Sequence, residues 1–334
     1  MKIENRLSKR ALIIIGIIWI LIFSVGLVLI FTLNTAFSSD NIIIWWIFFI
    51  ITYMGDAIVL ILIMGVLYIA YDKNYAKKLV YSVLASVYIN SFIKDLFRDP
   101  RPATNKIEIE PDYGFPSGHS QNSVAAYGYI AYEFKDRHLM KIKIIPLLCS
   151  TIIFFIAISR VIIGVHDVDD IIGGLLIGIV FLVLYINLQP IISEKINPLN
   201  FSIKFILAII IPVLLFILGI IFSPYAGEGQ ALFEDLPVNI YPDSGGYAVV
   251  SGALLGLLIG CLLEEKYVKY DPSELNSKQI RINLLIELAI LIPLYFILEF
   301  TLDGNVFTRF IRYAILAFIL VFIGPLIFKK INSK

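Results

Sequence analysis

The chain has 334 residues, of which 59% are hydrophobic and 16% are charged, and its formal net charge is +1. Soluble globular domains carry about 25% charged residues, so the composition excludes a soluble domain and favours a membrane protein. The near-neutral charge also excludes a nucleic-acid partner, because such proteins concentrate Lys and Arg to neutralise phosphates.

Ten apolar segments, separated by short polar ones, predict an all-α polytopic membrane helix bundle of about ten transmembrane helices. A span needs roughly 20 apolar residues, and the first segment is too long for the apolar core of a cleaved signal peptide. Trp45 and Trp46 suit the aromatic belt of a membrane interface, so we expect a short interfacial helix before the second span. The predicted spans are 11–33, 50–71, 79–94, 118–134, 144–160, 169–189, 202–222, 246–263, 282–300 and 306–328.

The Lys and Arg residues of the loops predict the orientation, because cytoplasmic loops are enriched in both. With a cytoplasmic N-terminus, the inner segments carry 20 of the 27 Lys and Arg residues. We therefore expect a multi-pass cell-membrane protein with both termini cytoplasmic. The seven on the outer side are Lys94, Arg98, Arg101, Lys106, Arg160, Arg309 and Arg312.

Glycines recur every four residues in two of the predicted spans. They are Gly174 and Gly178 in the sixth, and Gly252, Gly256 and Gly260 in the eighth. Small residues at this spacing form a helix face that allows close helix packing, so a packing role is predicted for them.

Three cations and a helix start are predicted to lie together at the outer surface. Lys94, Arg101 and Arg160 would repel one another unless an anion lies between them. Phosphate fits, because the guanidinium group binds two of its oxygens at once. Ser117 is a good helix cap, so the amides of Gly118 and the next residue should offer an anion the free N–H groups of a helix start.

Two of the three histidines belong to the same predicted cluster. His166 and Asp170 are four residues apart, which puts them on one helix face. Asp170 could then orient one ring nitrogen and leave the other free to attack. His119, from another helix, would protonate the departing oxygen. These groups predict phosphoryl transfer through a phosphohistidine.

The segments Lys94 to Arg101-Pro102, Pro116 to His119, and Ser159-Arg160 to Asp170 resemble the three-part signature of the type 2 phosphatidic acid phosphatase superfamily. Every signature position and both internal spacings match over a six-helix phosphatase core. The resemblance implies metal-free hydrolysis without a cofactor. It also implies that His166 is the nucleophile, Asp170 orients it and His119 is the general acid. The phosphate-binding residues that it implies are Lys94, Arg101, Ser117, Gly118 and Arg160.

Three regions are expected: an N-terminal span with an interfacial segment (1–49), the phosphatase core (50–190) and a four-span extension (191–334). The context around Gly55 and the extra spans resemble sphingosine-1-phosphate phosphatases and their prokaryotic relatives. The expected substrate is a polyprenyl diphosphate, phosphatidic acid or a sphingoid phosphate, received from the lipid bilayer at the outer face. The last four spans are expected to seal the substrate groove, form a homodimer contact or shape specificity.

Alternatives of other classes follow from the same residues. A soluble sugar phosphate could be the substrate, or the cationic pocket could serve a non-hydrolytic transporter of anionic lipids. The aspartates at 167, 169 and 170 could bind a divalent metal ion, although no second acidic motif appears. Arg98, Asp99 and Lys106 match no signature position, so solvated loop positions are predicted for them. Interfacial anchoring is favoured for Arg309 and Arg312.

Overall fold

The computed structural model describes residue 17 and residues 41–103, 113–136, 144–222, 245–302 and 305–332. All regular elements in these ranges are helical. Seven of these helices are long and apolar enough to cross a membrane, and a bent helix pair adds an eighth candidate. The structure thus confirms the all-α polytopic membrane fold. The predicted first span lies outside the described residues, except for Ile17.

The second predicted span consists of two helices with a bend of 44° between them. Helix α1 (Ile42–Thr52) begins at the cap residue Asn41, whose side chain accepts hydrogen bonds from two amides of the first turn. A 3-10 turn, Tyr53–Gly55, separates α1 from α2 (Ala57–Ala70). The two helices pass as a candidate span only together, and the break at 53–56 falls inside the predicted second span. A short helix before the break is present, as predicted, while its interfacial position stays a prediction.

Eight further helices coincide with the predicted third to tenth spans. Helix α4 (118–133) is the shortest of the eight. It consists of two short α-helical pieces joined by a π-helical turn. The others are α3 (Lys73–Phe97), α5 (Ile144–Ile162), α6 (Val168–Ile196), α7 (Phe201–Phe222), α8 (Gly245–Leu263, continued by a π-helical turn), α9 (Ser277–Thr301) and α10 (Val306–Asn332).

The chain divides into two compact units, and the division falls within α2 and α3. The N-terminal unit contains the described residues up to 60 and 92–197, and the C-terminal unit contains 61–91 and those from 198 onward. Helix α3 therefore begins in the C-terminal unit and ends in the N-terminal unit. The predicted division of the chain into the regions 1–49, 50–190 and 191–334 stays a prediction.

Both glycine faces pack closely, which confirms their predicted role. In α6, a methyl group on Gly174 would lie 2.6 Å from the Ser117 carbonyl oxygen, and one on Gly178 would lie 2.9 Å from the Gln121 carbonyl oxygen. The bare backbone of α6 therefore lets the start of α4 approach it. In α8, methyl groups on Gly252, Gly256 and Gly260 would meet Phe310, Ala314 and Val321 of α10.

The C-terminal unit buries a charged pair of its own. Both carboxylate oxygens of the buried Glu264 accept hydrogen bonds from Lys73 Nζ at 3.0 Å, and Glu264 Oε1 also accepts one from the Tyr270 amide at 2.5 Å. The Tyr270 hydroxyl donates to the Ile69 carbonyl oxygen at 2.6 Å. This network joins α2, α3 and α8 within the unit.

Candidate active site

His166 lies in the short connection between α5 and α6. Gly164 has a φ of 83°, a left-handed conformation that costs glycine little. The Val165 amide donates to the Arg160 carbonyl oxygen at 3.1 Å, so the chain turns back directly after α5. The imidazole of His166 is consequently 1% exposed and precedes the first turn of α6 by two residues.

Asp170 contacts one ring nitrogen of His166, as the four-residue spacing predicts. His166 Nδ1 and Asp170 Oδ2 are 2.9 Å apart, and the Asp167 amide donates to the same oxygen at 3.1 Å. Asp170 is fully buried. Its carboxylate is thus oriented by the backbone at the start of α6 and can accept a hydrogen bond from the ring.

Arg101 approaches the opposite nitrogen of the ring. Its Nη1 donates to the Val165 carbonyl oxygen at 3.0 Å and lies 3.3 Å from His166 Nε2. A guanidinium group can only donate, so this network assigns the acceptor role to Nε2 and the proton to Nδ1. The lone pair of Nε2 therefore faces the cationic side of the site.

Lys94 and Arg160 lie in the last turns of α3 and α5, where a cation interacts favourably with the helix dipole. Lys94 Nζ donates to the Tyr113 carbonyl oxygen at 2.5 Å, and Arg160 Nη1 donates to the Thr52 hydroxyl at 3.1 Å. Both side chains are buried. Two elements outside the signature, α1 and the segment at Tyr113, thus orient the two cations.

The pKa of His166 reflects its burial and the charged groups around it. Burial, followed by the charges of Arg101, Arg160, Lys94 and His119, lowers its pKa well below the usual value of 6.5. The imidazole is therefore neutral at neutral pH, as a nucleophile must be.

Ser117 begins α4 and is fixed against α6. Its amide donates to the Asp170 carbonyl oxygen at 3.0 Å, and its hydroxyl accepts a hydrogen bond from the Ser120 amide at 3.4 Å. Gly118 is the first residue of the helix. His119 follows and is half-buried, and a methyl group on Gly55 would lie 3.2 Å from its ring. The start of α4 and the 3-10 turn after α1 therefore meet at His119.

The structure places all eight residues predicted for the site in one unit of the fold: Lys94, Arg101, Ser117, Gly118, His119, Arg160, His166 and Asp170. Direct contacts join His166 to Asp170 and Arg101, and Ser117 to Asp170. Lys94, Arg160 and His119 lie close enough for their charges to act on His166. Sequence reasoning missed the supporting groups Thr52, Tyr113 and Gly114, because nothing in their local sequence indicates a contact with the cluster.

Asp99 lies in a loop, as predicted, but it is only partly solvated. Its carbonyl oxygen accepts a hydrogen bond from the Gly114 amide at 2.7 Å, and its side chain is half-buried. Burial and the neighbouring Asp169 and Asp167 raise its pKa to about 6. Its place between Lys94 and Arg101 was the one signal in the sequence. Arg98 is exposed, as predicted, and Lys106 lies outside the described residues.

The predicted interfacial anchoring is wrong for Arg312, which is buried and forms an ion pair with Glu299 between α9 and α10.

The aspartates at 167, 169 and 170 do not gather into a ligand set. Across the described ranges, no group of three or more His, Cys, Asp and Glu side chains could hold a metal ion.

Comparisons with known proteins match both halves of the chain. The PAP2 superfamily matches residues 75–193, and the PAP2 superfamily phosphatase transmembrane extension matches residues 248–334. Phosphatidylglycerophosphatase B of Bacillus subtilis (strain 168) is 32% identical over 137 residues, which cover 39% of this chain and 67% of that protein.

Two longer eukaryotic proteins are also similar. Lipid phosphate phosphatase delta of Arabidopsis thaliana is 31% identical, and sphingosine-1-phosphate phosphatase 2 of Mus musculus is 28% identical. The matches cover 33% and 34% of this chain, but 29% and 33% of those proteins. The crystal structure of the first transmembrane PAP2 type phosphatidylglycerolphosphate phosphatase from Bacillus subtilis aligns with a TM-score of 0.44 and 23% identity. It covers 55% of this chain and 98% of that one.

Proposed function

The chain belongs to the PAP2 superfamily, and from this premise we propose that it is a membrane lipid phosphatase that acts through a phosphohistidine at His166. One observation carries the proposal. The buried His166 imidazole contacts Asp170 through Nδ1, while Nε2 faces Arg101. Such a ring is oriented and neutral, and a phosphoryl group bound by Arg101 would replace the guanidinium as the partner of the Nε2 lone pair.

In the first step, His166 Nε2 attacks the phosphorus atom, and the bond from phosphorus to the lipid oxygen breaks. His119 donates a proton to the departing oxygen, so the lipid leaves as an alcohol, or as a monophosphate if the substrate is a diphosphate. Asp170 stabilises the positive charge that develops on the imidazole. Lys94, Arg101 and Arg160 neutralise the phosphoryl oxygens.

In the second step, water attacks the phosphohistidine, and His119 takes the proton that it supplied before. The nitrogen–phosphorus bond breaks, inorganic phosphate is released, and His166 returns to its neutral form. Three cations already supply the positive charge that a metal ion would bring. We therefore propose that the reaction needs no metal ion.

A lipid substrate is favoured by the position of the site along its helices. Lys94 and Arg160 lie in the last turns of α3 and α5, and Asp170 lies in the first turn of α6. A headgroup can enter at such helix ends while its acyl or prenyl chain stays in the bilayer. Phosphatidic acid, phosphatidylglycerol phosphate, sphingoid phosphates and polyprenyl diphosphates are the candidates, and the activities for which the similar proteins are named support this class.

A phosphate-release screen tests this proposal. The purified full-length protein in detergent is assayed with each candidate lipid and with glucose 6-phosphate, with and without EDTA. We expect release from at least one lipid, faster than from the sugar phosphate and unchanged by EDTA. Faster release from the sugar phosphate would contradict the lipid assignment, and loss in EDTA would contradict metal independence.

Replacing the nucleophile tests the mechanism. His166→Ala should lower phosphate release by at least ~1000-fold, because no other group can form the covalent intermediate. His138→Ala, which changes the histidine outside the signature, is the matched control and should stay within about twofold. Acid-labile label from ³²P-labelled lipid should appear on the unchanged protein and not on His166→Ala. Full activity of His166→Ala would refute the mechanism.

We propose, from the loop charges, that the site faces the outer side of the membrane. Cysteines replace Glu228 or Lys266 in separate variants, and a membrane-impermeant maleimide is applied to intact cells. The native Cys149 and Cys261 are buried and give the background. We expect labelling at position 228 and none at 266, and the reverse pattern would invert the proposed orientation.

A further inference from the structure

Helix α1 contacts a cation of the proposed site, although it lies before the residues 75–193 that match the PAP2 superfamily. Its last residue, Thr52, is 5% exposed, and the hydroxyl oxygen accepts a hydrogen bond from Arg160 Nη1 at 3.1 Å. A guanidinium group can only donate, so the direction of this bond is fixed. One acceptor for the signature residue Arg160 thus comes from a helix outside the signature.

Two further contacts show that α1 runs antiparallel to α5. Just after the end of α1, a methyl group on Gly55 would lie 2.8 Å from Ile156 Cγ2. Near the start of α1, Trp45 Nε1 donates to the Ile163 carbonyl oxygen at 3.3 Å. The hydrogen bond to Arg160 lies between these two contacts along both helices. Helix α1 is therefore held against α5 on both sides of that bond.

The end of α1 borders two residues of the proposed reaction. A methyl group on Gly55 would also lie 3.2 Å from His119 Cδ2, and Arg160 is close enough to His166 for its charge to lower the pKa of that ring. A guanidinium group is planar, and its N–H donors point in fixed directions. Holding Nη1 at Thr52 therefore limits rotation of the Arg160 plane and sets the direction of its other donors.

We propose that Thr52 is a positioning residue, which holds the Arg160 guanidinium in the orientation that binds the phosphoryl oxygens during transfer. The inference rests on the proposed function, in which Arg160 neutralises the phosphoryl group. Orientation matters most in the transition state, because preorganised donors act on the charge that develops there. Loss of the Thr52 hydroxyl therefore lowers kcat more than it raises KM.

Three variants separate this role from a packing role. Thr52→Val keeps the branched shape but removes the acceptor, so kcat should fall roughly tenfold or more, as expected for a hydrogen bond to a charged group. Its KM should change by less than about threefold. Thr52→Ser keeps the hydroxyl, and its kcat should stay within about threefold of the unchanged protein.

Thr151→Val is the matched control. Thr151 is exposed on α5, and its hydroxyl donates to the Leu147 carbonyl oxygen of the same helix at 2.9 Å. The same substitution there removes a hydroxyl without touching the site, so kcat should stay within about twofold.

A double-mutant cycle is the decisive measurement. Phosphate release is measured in mixed micelles with the lipid that is fastest in the phosphate-release screen, and Thr52→Val is introduced into the unchanged protein and into Arg160→Ala. In Arg160→Ala, the change at Thr52 should add a loss of less than about twofold, because the group that Thr52 positions is absent. A further loss of about tenfold in this background would overturn the inference, since independent effects multiply.

Inhibition by orthovanadate gives a readout that does not depend on the slow double variant. Vanadate adopts the five-coordinate geometry of the phosphorus atom during transfer, so its inhibition constant should rise in Thr52→Val by about the factor by which kcat falls. An unchanged inhibition constant would overturn the inference. So would equal losses in Thr52→Val and Thr52→Ser together with lowered thermal stability, since that pattern belongs to a packing role.

His166→Ala in the same series keeps the two proposals apart. If His166→Ala is inactive and Thr52→Val behaves like Thr151→Val, only the Thr52 inference fails. If His166→Ala is active, the proposed function fails.

Discussion

The two units of the chain bury charged side chains in different ways. In the C-terminal unit, Glu264 is matched by one cation, Lys73, and by the Tyr270 amide. In the N-terminal unit, three cations influence the neutral ring of His166, and Asp170 contacts its Nδ1. A buried ion pair is complete by itself, whereas cations beside a neutral ring are not paired by that ring and can attract an anion. Buried charge alone therefore does not mark a functional site.

Among the changes that test this comparison, the largest effect is expected from removing one of these cations. Arg160→Ala should lower phosphate release by roughly 100- to 1000-fold, the range seen when one transition-state donor is deleted. Arg160→Lys should recover only part of the loss, because an ammonium lacks the planar fork. Thermal unfolding in detergent shows whether each variant is folded. Activity of Arg160→Ala within threefold of the unchanged protein would show that this buried cation does not take part in the reaction, which would contradict the difference between the two units.

The matched change in the C-terminal unit should affect stability instead. Lys73→Met leaves Glu264 buried without its cation, which costs about 3–5 kcal/mol when a buried pair is broken. Thermal unfolding should report this loss, and the protein that remains folded should keep its phosphate-release rate. The double variant Lys73→Met with Glu264→Gln should recover part of the stability. A large fall in kcat at unchanged stability would assign this pair to the reaction.

Substitutions in the two glycine faces should give a smaller difference between the units. Gly174→Ala would press on the Ser117 carbonyl oxygen, and Gly256→Ala would press on the Ala314 carbonyl oxygen. Each overpacked contact should cost about 1–3 kcal/mol of unfolding free energy. Only Gly174→Ala should also lower kcat, because Ser117 begins the helix that carries His119. Equal kcat in the two variants would show that the site tolerates this displacement.

The smallest effect is on the pH dependence of stability. The pKa of folded His166 lies well below 6.5, so below that pH the unfolded chain binds the proton more readily. His166 therefore stabilises the fold above about pH 6.5, and its contribution changes by up to about 1.4 kcal/mol per pH unit as the pH falls. His166→Asn should remove this dependence, measured as the difference in unfolding free energy between the variant and the unchanged protein at pH ~7 and pH ~5.

The sequence by itself determined the helices and named the residues of the proposed site. Apolar runs are local, so the helices at the predicted third to tenth spans were found, with bounds that differ by up to about seven residues. The contact between His166 and Asp170 was also predictable, because a four-residue spacing fixes neighbours on a helix. The signature residues indicated a phosphate site before any contact between helices was known.

The tertiary structure decided what depends on contacts between distant segments. The assignment of Nε2 as the acceptor nitrogen of His166 depends on Arg101, which comes 65 residues earlier in the chain. Asp99 and Arg312 resembled solvated or interfacial charges in sequence, yet both are partly or fully buried against other segments. Hydropathy and spacing report on neighbours within one helix, whereas the burial of a charge depends on which other segment packs against it.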